Sequence, residues 1–193
     1  MTKRNYKVFA EFKSDGVNVF RRHTKVYFNG KIEKPLGIIL MINPGKCAPL
    51  IDDTGEEWSK QKESHSDPTL GKVSSTINIA YNHELVGFVS IINLCDEKNP
   101  HSNSFLDGWT PKSEEEILKE VDLLGGDVNW IWVAFGRDER TSDLRNKLIS
   151  QLNSKYKGKI IGEEEEIKCR HPSAPFPATL KKFIASKIRE KLK

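Results

Sequence analysis

Residues 36–42 read Leu-Gly-Ile-Ile-Leu-Met-Ile, an apolar run that continues until Asn43-Pro44-Gly45 ends it. A short apolar run without alternation is typical of a strand that is buried on both faces, as in a parallel sheet. Residues 86–92 and 130–135 have the same character, and residues 159–161 form a shorter segment of this kind. These four segments predict a central, mainly parallel four-stranded sheet.

Helix signals separate the predicted strands. Asp67-Pro68 supplies an N-cap residue and a first-turn proline. Ser113 and Glu116 form a capping box at the start of a second helix. Apolar residues at helical spacing define two more helices, at residues 144–152 and 180–192. Strands that alternate with helices in this way predict a three-layer α/β/α sandwich.

The N-terminal segment has a different pattern of apolar and polar residues. Apolar and charged residues alternate through residues 5–34, and Ser14-Asp15-Gly16 and Asn29-Gly30 are turn signals. This pattern predicts an antiparallel β-hairpin that is basic on its exposed side. We therefore expect a single domain over residues 1–193, with a hairpin extension at 1–34 and an α/β core at 35–193.

Composition limits the class of protein. The chain has 193 residues, of which 37% are hydrophobic and 30% are charged, which is typical of a globular protein. No apolar run approaches the roughly 18 residues of a membrane-spanning helix. Three widely spaced cysteines, Cys47, Cys95 and Cys169, argue against a disulfide framework and for a reducing compartment. We expect a cytoplasmic protein without a membrane partner.

Positive charge is concentrated at the two ends of the chain. The net charge is +4, residues 1–34 carry nine Lys and Arg against three Asp and Glu, and residues 178–193 carry six against one. Basic ends on a neutral body are consistent with a face that binds a polyanion. On charge alone, ordinary solvated helix and strand surface is the favoured interpretation.

Polar residues follow the predicted strands, where an α/β sheet places its site. Asn43 ends the first strand, and its amide can hold a water molecule or a ligand. Asn93 ends the second, and its donors and acceptor match the edge of a nucleobase. His171 precedes a proline-rich loop in which Ser173 can contact an anion and Phe176 is an isolated apolar residue. Each of these signals also fits a structural strand end, a loop histidine or core packing.

These segments, in this order, resemble the motifs of the uracil–DNA glycosylase superfamily. Residues 41–45, Met-Ile-Asn-Pro-Gly, are similar to Gly-Ile-Asn-Pro-Gly of the mismatch-specific uracil/thymine branch. Residues 91–94, Ile-Ile-Asn-Leu, resemble the base-reading strand of the classical uracil branch. Residues 133–136, Val-Ala-Phe-Gly, lie where the family often has Leu-Trp-Gly, and His171-Pro172-Ser173 matches the start of its His-Pro-Ser-Pro loop.

A second resemblance is to an uncharacterised bacterial domain family. That family has, in order, Leu-Asn-Pro-Ser, Asp-Pro-Thr, Val-Asn-Leu, Trp-Gly and Arg-His-Pro. Asp67-Pro68-Thr69, Asn93-Leu94 and Arg170-His171-Pro172 are similar to three of these motifs. The two resemblances together cover residues 36–180.

The resemblance implies hydrolysis of the N-glycosidic bond between a base and deoxyribose, after the base has left the stack. Asn43 would hold the attacking water, His171 would stabilise negative charge on the departing base, and Asn93 would read that base.

Further roles follow from the same resemblance. Ile42, Pro44, Gly45 and Asp67 would line the substrate pocket. Lys46, Arg170 and Ser173 would hold DNA phosphates, and Phe176 would fill the gap left by the base. The resemblance implies binding of double- or single-stranded DNA and no required metal or organic cofactor. We expect a monomer.

Two departures from the family pattern bear on the substrate. Asn43 stands where the classical branch has Asp, which weakens activation of water unless Asp52, Asp53 or Asp67 reaches the site. Gly45 stands where that branch has a Tyr that excludes 5-substituted pyrimidines. We therefore expect a 5-modified pyrimidine as substrate, such as a hypermodified cytosine of phage DNA, in a host-defence role.

Three alternatives remain open from the sequence. The first is a non-catalytic nucleic-acid-binding module on the same fold. The second is a hydrolase of free nucleosides or nucleotides, which needs neither basic flanks nor a wedge. The third is a metal hydrolase that uses His65, Asp67 and His101, although these residues lack tight ligand spacing.

Overall fold

A computed structural model describes residues 5–43, 45–51, 54–82, 85–98, 110–164, 170–172 and 175–193. The described residues form one sheet, four α-helices and a 3-10 turn. In chain order these are β1 (Tyr6–Ser14), β2 (Val19–Phe28), β3 (Pro35–Met41), β4 (Lys62–Ser64), α1 (Pro68–Ala80), β5 (Gly87–Asn93), α2 (Glu114–Gly125), β6 (Ile131–Val133), the 3-10 turn Glu139–Thr141, α3 (Ser142–Lys155), β7 (Ile160–Ile161) and α4 (Ala178–Lys191).

The sheet is mixed and has seven strands in the order β4-β1-β2-β5-β3-β6-β7. Strands β5, β3, β6 and β7 pair in parallel, and β2, β1 and β4 continue the sheet in antiparallel fashion. The chain is α/β as expected, and β1 and β2 form the predicted antiparallel hairpin. The expectation of a mainly parallel four-stranded central sheet is wrong, because the hairpin continues the same sheet. Pairing of β2 with β5 satisfies the backbone edge that β5 would otherwise expose.

Two hydrophobic cores lie on opposite faces of the sheet. Ile39 and Met41 of β3 belong to the first core, together with apolar residues of α1 and α4. Ile38 and Leu40 belong to the second core, together with apolar residues of α2 and α3. Successive strand residues point to opposite faces, so both faces of β3 require apolar side chains. This explains why the run at residues 36–42 contains no polar residue.

The helix starts predicted from capping residues are confirmed. Asp67 is the N-cap of α1, and its Oδ1 accepts a hydrogen bond from the Leu70 backbone N–H at 2.8 Å. Ser113 and Glu116 form the capping box of α2. None of the four described helices exceeds 14 residues, and none is both long and apolar enough to cross a membrane.

The order of the parallel strands fixes where a ligand crevice forms. The first of them along the chain, β3, has the second (β5) on one side and the third (β6) on the other. At such a reversal of strand order, the loops that follow the two central strands diverge and leave a crevice beyond their carboxyl ends. The segments that follow β3 and β6 border this crevice.

We expect Gly37→Ala to destabilise the fold. A Cβ atom at position 37 would lie 2.2 Å from the Trp130 ring, which is completely buried. Overpacking of this kind costs about 1–3 kcal/mol, measured as the free energy of unfolding in urea. Gly126→Ala is the matched control, because nothing lies within 4 Å of its Cβ position. Equal stabilities for the two variants would contradict this packing.

Candidate functional site

Two asparagines lie at the carboxyl edge of neighbouring strands. Asn93 is the last residue of β5 and lies opposite Met41 of β3, and Asn43 follows Met41 by two positions. Both side chains are buried, with exposed fractions of 2% for Asn93 and 9% for Asn43. Among the described residues, neither the Nδ2 nor the Oδ1 atom of Asn93 has a hydrogen-bond partner. A buried amide in this state offers two donors and an acceptor to a ligand.

Asp67 lies beside the segment that follows β3. Its Oδ2 accepts a hydrogen bond from the Cys47 thiol at 3.2 Å. A Cβ atom at Gly45, which has a φ of +67°, would lie 3.0 Å from the same oxygen. The N-terminus of α1 favours the negative charge of this carboxylate. The N-cap residue of α1 therefore places a carboxylate next to Gly45.

His171 returns to the same edge of the sheet from the segment after β7. Its Cβ lies 3.7 Å from the position that a Cβ at Gly136 would take, and Ile42 Cδ1 lies 3.3 Å from that position. Burial lowers the pKa of His171 to about 4, with a smaller lowering effect from Lys72 and an opposing effect from Asp67. The imidazole is therefore neutral at pH 7, with one N–H donor and one acceptor nitrogen.

Arg21 of β2 also belongs to this site, and its role is not predicted from the sequence. Its guanidinium interacts with the Cys47 thiol and lowers the pKa of that thiol, against the larger raising effect of burial. Cys47 thus interacts with both Arg21 and Asp67. The contact between Arg21 and Cys47 could not be predicted from the sequence, because a lone cysteine and one of many basic residues form no recognisable motif.

A β-bulge explains why Arg21 faces inward. Between the pairs Phe9–Lys25 and Glu11–Arg22, β1 advances by two residues and β2 by three. The extra residue of β2 lies at His23, whose φ is +48°. Beyond it, the side chains of β2 that face the core are shifted by one position. Simple alternation from Thr24 would place Arg22 inward, whereas the bulge places Arg21 there, with an exposed fraction of 2%.

The predicted DNA contacts are only partly described. Lys46 is exposed and lies with Lys98 around a surface depression of about 350 Å³ at the tip of the β1–β2 hairpin. Arg170 is partly buried. Pro44 and Ser173 lie outside the described residues. The hairpin tip, which sequence reasoning did not single out, thus lies beside one predicted phosphate contact.

Phe176 packs against the first hydrophobic core. Its ring centroid lies 6.2 Å from that of Trp132, and the two rings are tilted by 30°. In this conformation the Phe176 side chain contributes to the core. This agrees with the alternative interpretation, in which Phe176 packs in the core and is not a wedge. Its assignment as the wedge stays a prediction without support from this placement.

The described residues contain no group of three His, Cys, Asp or Glu side chains placed to hold a metal ion. Of the three residues in the metal-hydrolase alternative, His65 and Asp67 are described and His101 is not. Asp52, Asp53 and Cys169 also lie outside the described residues, whereas Cys47 and Cys95 are free and buried.

The lowered pKa of His171 predicts a pH-dependent stability. The imidazole takes up a proton near pH 6.5 in the unfolded chain but only near pH 4 in the folded protein. Between these values the unfolded state binds more protons, so stability is full above pH 6.5 and falls towards pH 4. Across this interval we expect the free energy of unfolding of the wild type to fall by up to about 3 kcal/mol more than that of His171→Asn. Urea unfolding at several pH values measures both. Parallel curves for the two proteins would contradict a lowered pKa of His171 in the folded protein.

Comparison with known proteins assigns no family to this chain. No family model, no curated protein and no solved structure matches it.

Proposed function

We propose that the protein is a DNA glycosylase that hydrolyses the N-glycosidic bond of a flipped, modified pyrimidine and leaves an abasic site. The proposal includes a three-layer α/β/α arrangement of the helices around the sheet. It is supported chiefly by the buried amide of Asn93, which has no partner among the described residues and lies at the carboxyl edge beside Asn43. An amide in this place suits recognition of a base edge.

In this proposal Asn43 and Asp67 act on the attacking water. An amide cannot remove a proton, so Asn43 positions the water near the anomeric carbon. The negatively charged Asp67 carboxylate beside Gly45 attracts the proton of the water. The same charge stabilises the positive charge that develops on the sugar. Its hydrogen bonds from Leu70 N–H and Cys47 Sγ hold it in place.

His171 acts as a neutral donor. Because the pKa of His171 is about 4, its ring donates an N–H at pH 7 without carrying a charge. A donor aimed at an oxygen of the departing base stabilises negative charge as the glycosidic bond breaks. Loss of a donor of this kind typically costs about 10²–10³-fold in rate.

The surroundings of Gly45 suggest the kind of pyrimidine. Position 45 has no side chain, and the Asp67 carboxylate borders the space beside it. A substituent that carries hydroxyl groups can donate hydrogen bonds to this carboxylate, whereas an anionic substituent is repelled. The substrate that fits is a pyrimidine with a hydroxymethyl or glucosylated hydroxymethyl group, as in hypermodified phage DNA.

Release of a base from DNA tests the proposal directly. Purified protein is incubated with uracil-containing, mismatched, hydroxymethylated or glucosylated DNA, and abasic sites are detected by alkaline cleavage. We expect breaks on one modified substrate and a loss of at least about 10²-fold in Asn43→Ala and His171→Ala. Asn153→Ala, an exposed asparagine on α3, is the control for an amide substitution away from the site. Retained DNA binding without breaks would favour the non-catalytic module.

Salt dependence tests the DNA contact of Lys46. We expect Lys46→Ala to lower DNA affinity and to reduce the slope of log K against log salt by about 0.9, one phosphate contact. Lys119→Ala, an exposed lysine on α2 with the same change in charge, should leave the slope unchanged. A protein that acts on free nucleosides would show no such slope, and this outcome would favour the nucleoside hydrolase.

A further inference from the structure

Arg21 carries a buried charge that the described part of the chain does not neutralise. The residue has an exposed fraction of 2%, and among the described residues its Nε and Nη1 atoms have no hydrogen-bond partner. No carboxylate of the described residues forms an ion pair with it. A guanidinium removed from water without a counter-charge destabilises a fold strongly, unless a ligand supplies the missing acceptors.

Two more unpartnered polar side chains lie on the same face of the sheet as Arg21. Thr24 is completely buried and lies opposite Ile91 of β5, and its hydroxyl has no partner among the described residues. Asn93 follows Ile91 by two positions and therefore points to the same face of the sheet. The Arg21 backbone N–H donates to the Asp96 carbonyl at 2.8 Å, which brings β2 alongside the end of β5. Arg21, Thr24 and Asn93 thus lie on one face of two adjacent strands, and we call these three residues the polar cluster.

The chemistry of this cluster defines its ligand. Buried polar groups in proteins are normally hydrogen-bonded, so several unpaired groups in one place call for an occupant. A guanidinium only donates hydrogen bonds, so the occupant presents acceptor atoms to Arg21. The positive charge favours an occupant on which negative charge is present or develops. Asp67 forms no ion pair with Arg21 among the described residues, and both side chains interact with the Cys47 thiol instead.

We propose that Arg21, Thr24 and Asn93 form a subsite for the acceptor edge of the departing base, and that Arg21 stabilises the negative charge on its ring oxygens. This inference rests on the proposed function. When the bond between the sugar carbon and the base nitrogen breaks, its electron pair passes to the base. Water forms the new carbon–oxygen bond and its proton finally neutralises the base. Arg21 interacts most strongly with the base while it is still anionic.

Binding of free bases tests this subsite without any cleavage of DNA. The probes are uracil and 6-azauracil, which have nearly the same shape, although 6-azauracil loses its ring proton more readily. We expect the wild type at pH 8 to bind 6-azauracil at least about tenfold more tightly than uracil, measured by calorimetric titration. Arg21→Met should abolish this preference and should leave the melting temperature of the free protein unchanged or raised, because it removes an unpaired buried charge.

The neighbouring arginine provides a matched control. Arg22 lies on the other face of the strand, where it donates to Glu11 at 2.9 Å and its guanidinium lies 4.1 Å from the centre of the Trp58 ring. Arg22→Met should therefore retain the preference for 6-azauracil. If Arg21→Met does not fold, Arg21→Gln takes its place, because it also removes the charge: loss of the preference supports the subsite, and its retention contradicts it.

Two outcomes would overturn the inference. A wild type that binds both bases equally, or neither of them, has no anion-selective base subsite. A lowered melting temperature of Arg21→Met with an intact preference would make Arg21 a structural residue. Failure here remains distinguishable from failure of the glycosylase proposal, because abasic sites without base preference exclude only the subsite. Base preference without abasic sites excludes only the cleavage reaction.

Discussion

Burial of β3 on both faces is the constraint on which the rest of the structure depends. Its backbone is hydrogen-bonded to β5 on one side and β6 on the other, and its side chains enter two separate cores. Polar side chains cannot occupy such a strand without losing their hydrogen bonds to water. Buried polar side chains are therefore found at the strand ends, where Asn43 follows β3 and Asn93 ends β5.

The features that the sequence predicts correctly are those with local signals. An apolar run indicates a strand that is buried on both faces. Asp67 indicates the start of a helix, because its side chain accepts a hydrogen bond from the Leu70 N–H. Because parallel strands end at one edge of a sheet, Asn43 and Asn93 are then expected to lie close together. These inferences need only neighbouring residues and one topological rule.

The features that escape prediction depend on pairing between distant segments. Nothing within residues 19–28 indicates that β2 pairs with β5, some 60 residues later, rather than standing apart as a hairpin. The three-residue strand β4 is too short to show alternation. Arg21 faces the core only because a bulge at His23 reverses the pattern of β2. Such irregularities are characteristic of functional regions, where local rules give way.

The insertion of β2 beside β5 also affects how the chain folds during synthesis. Strand β2 leaves the ribosome long before Gly87–Asn93 exists, so one of its edges stays unpaired while the intervening residues are made. An open strand edge invites pairing with other chains, and closely spaced charges are a common protection against it. Arg21, Arg22 and Lys25 place three positive charges on this strand. We expect these charges to protect the open edge of β2 until β5 pairs with it.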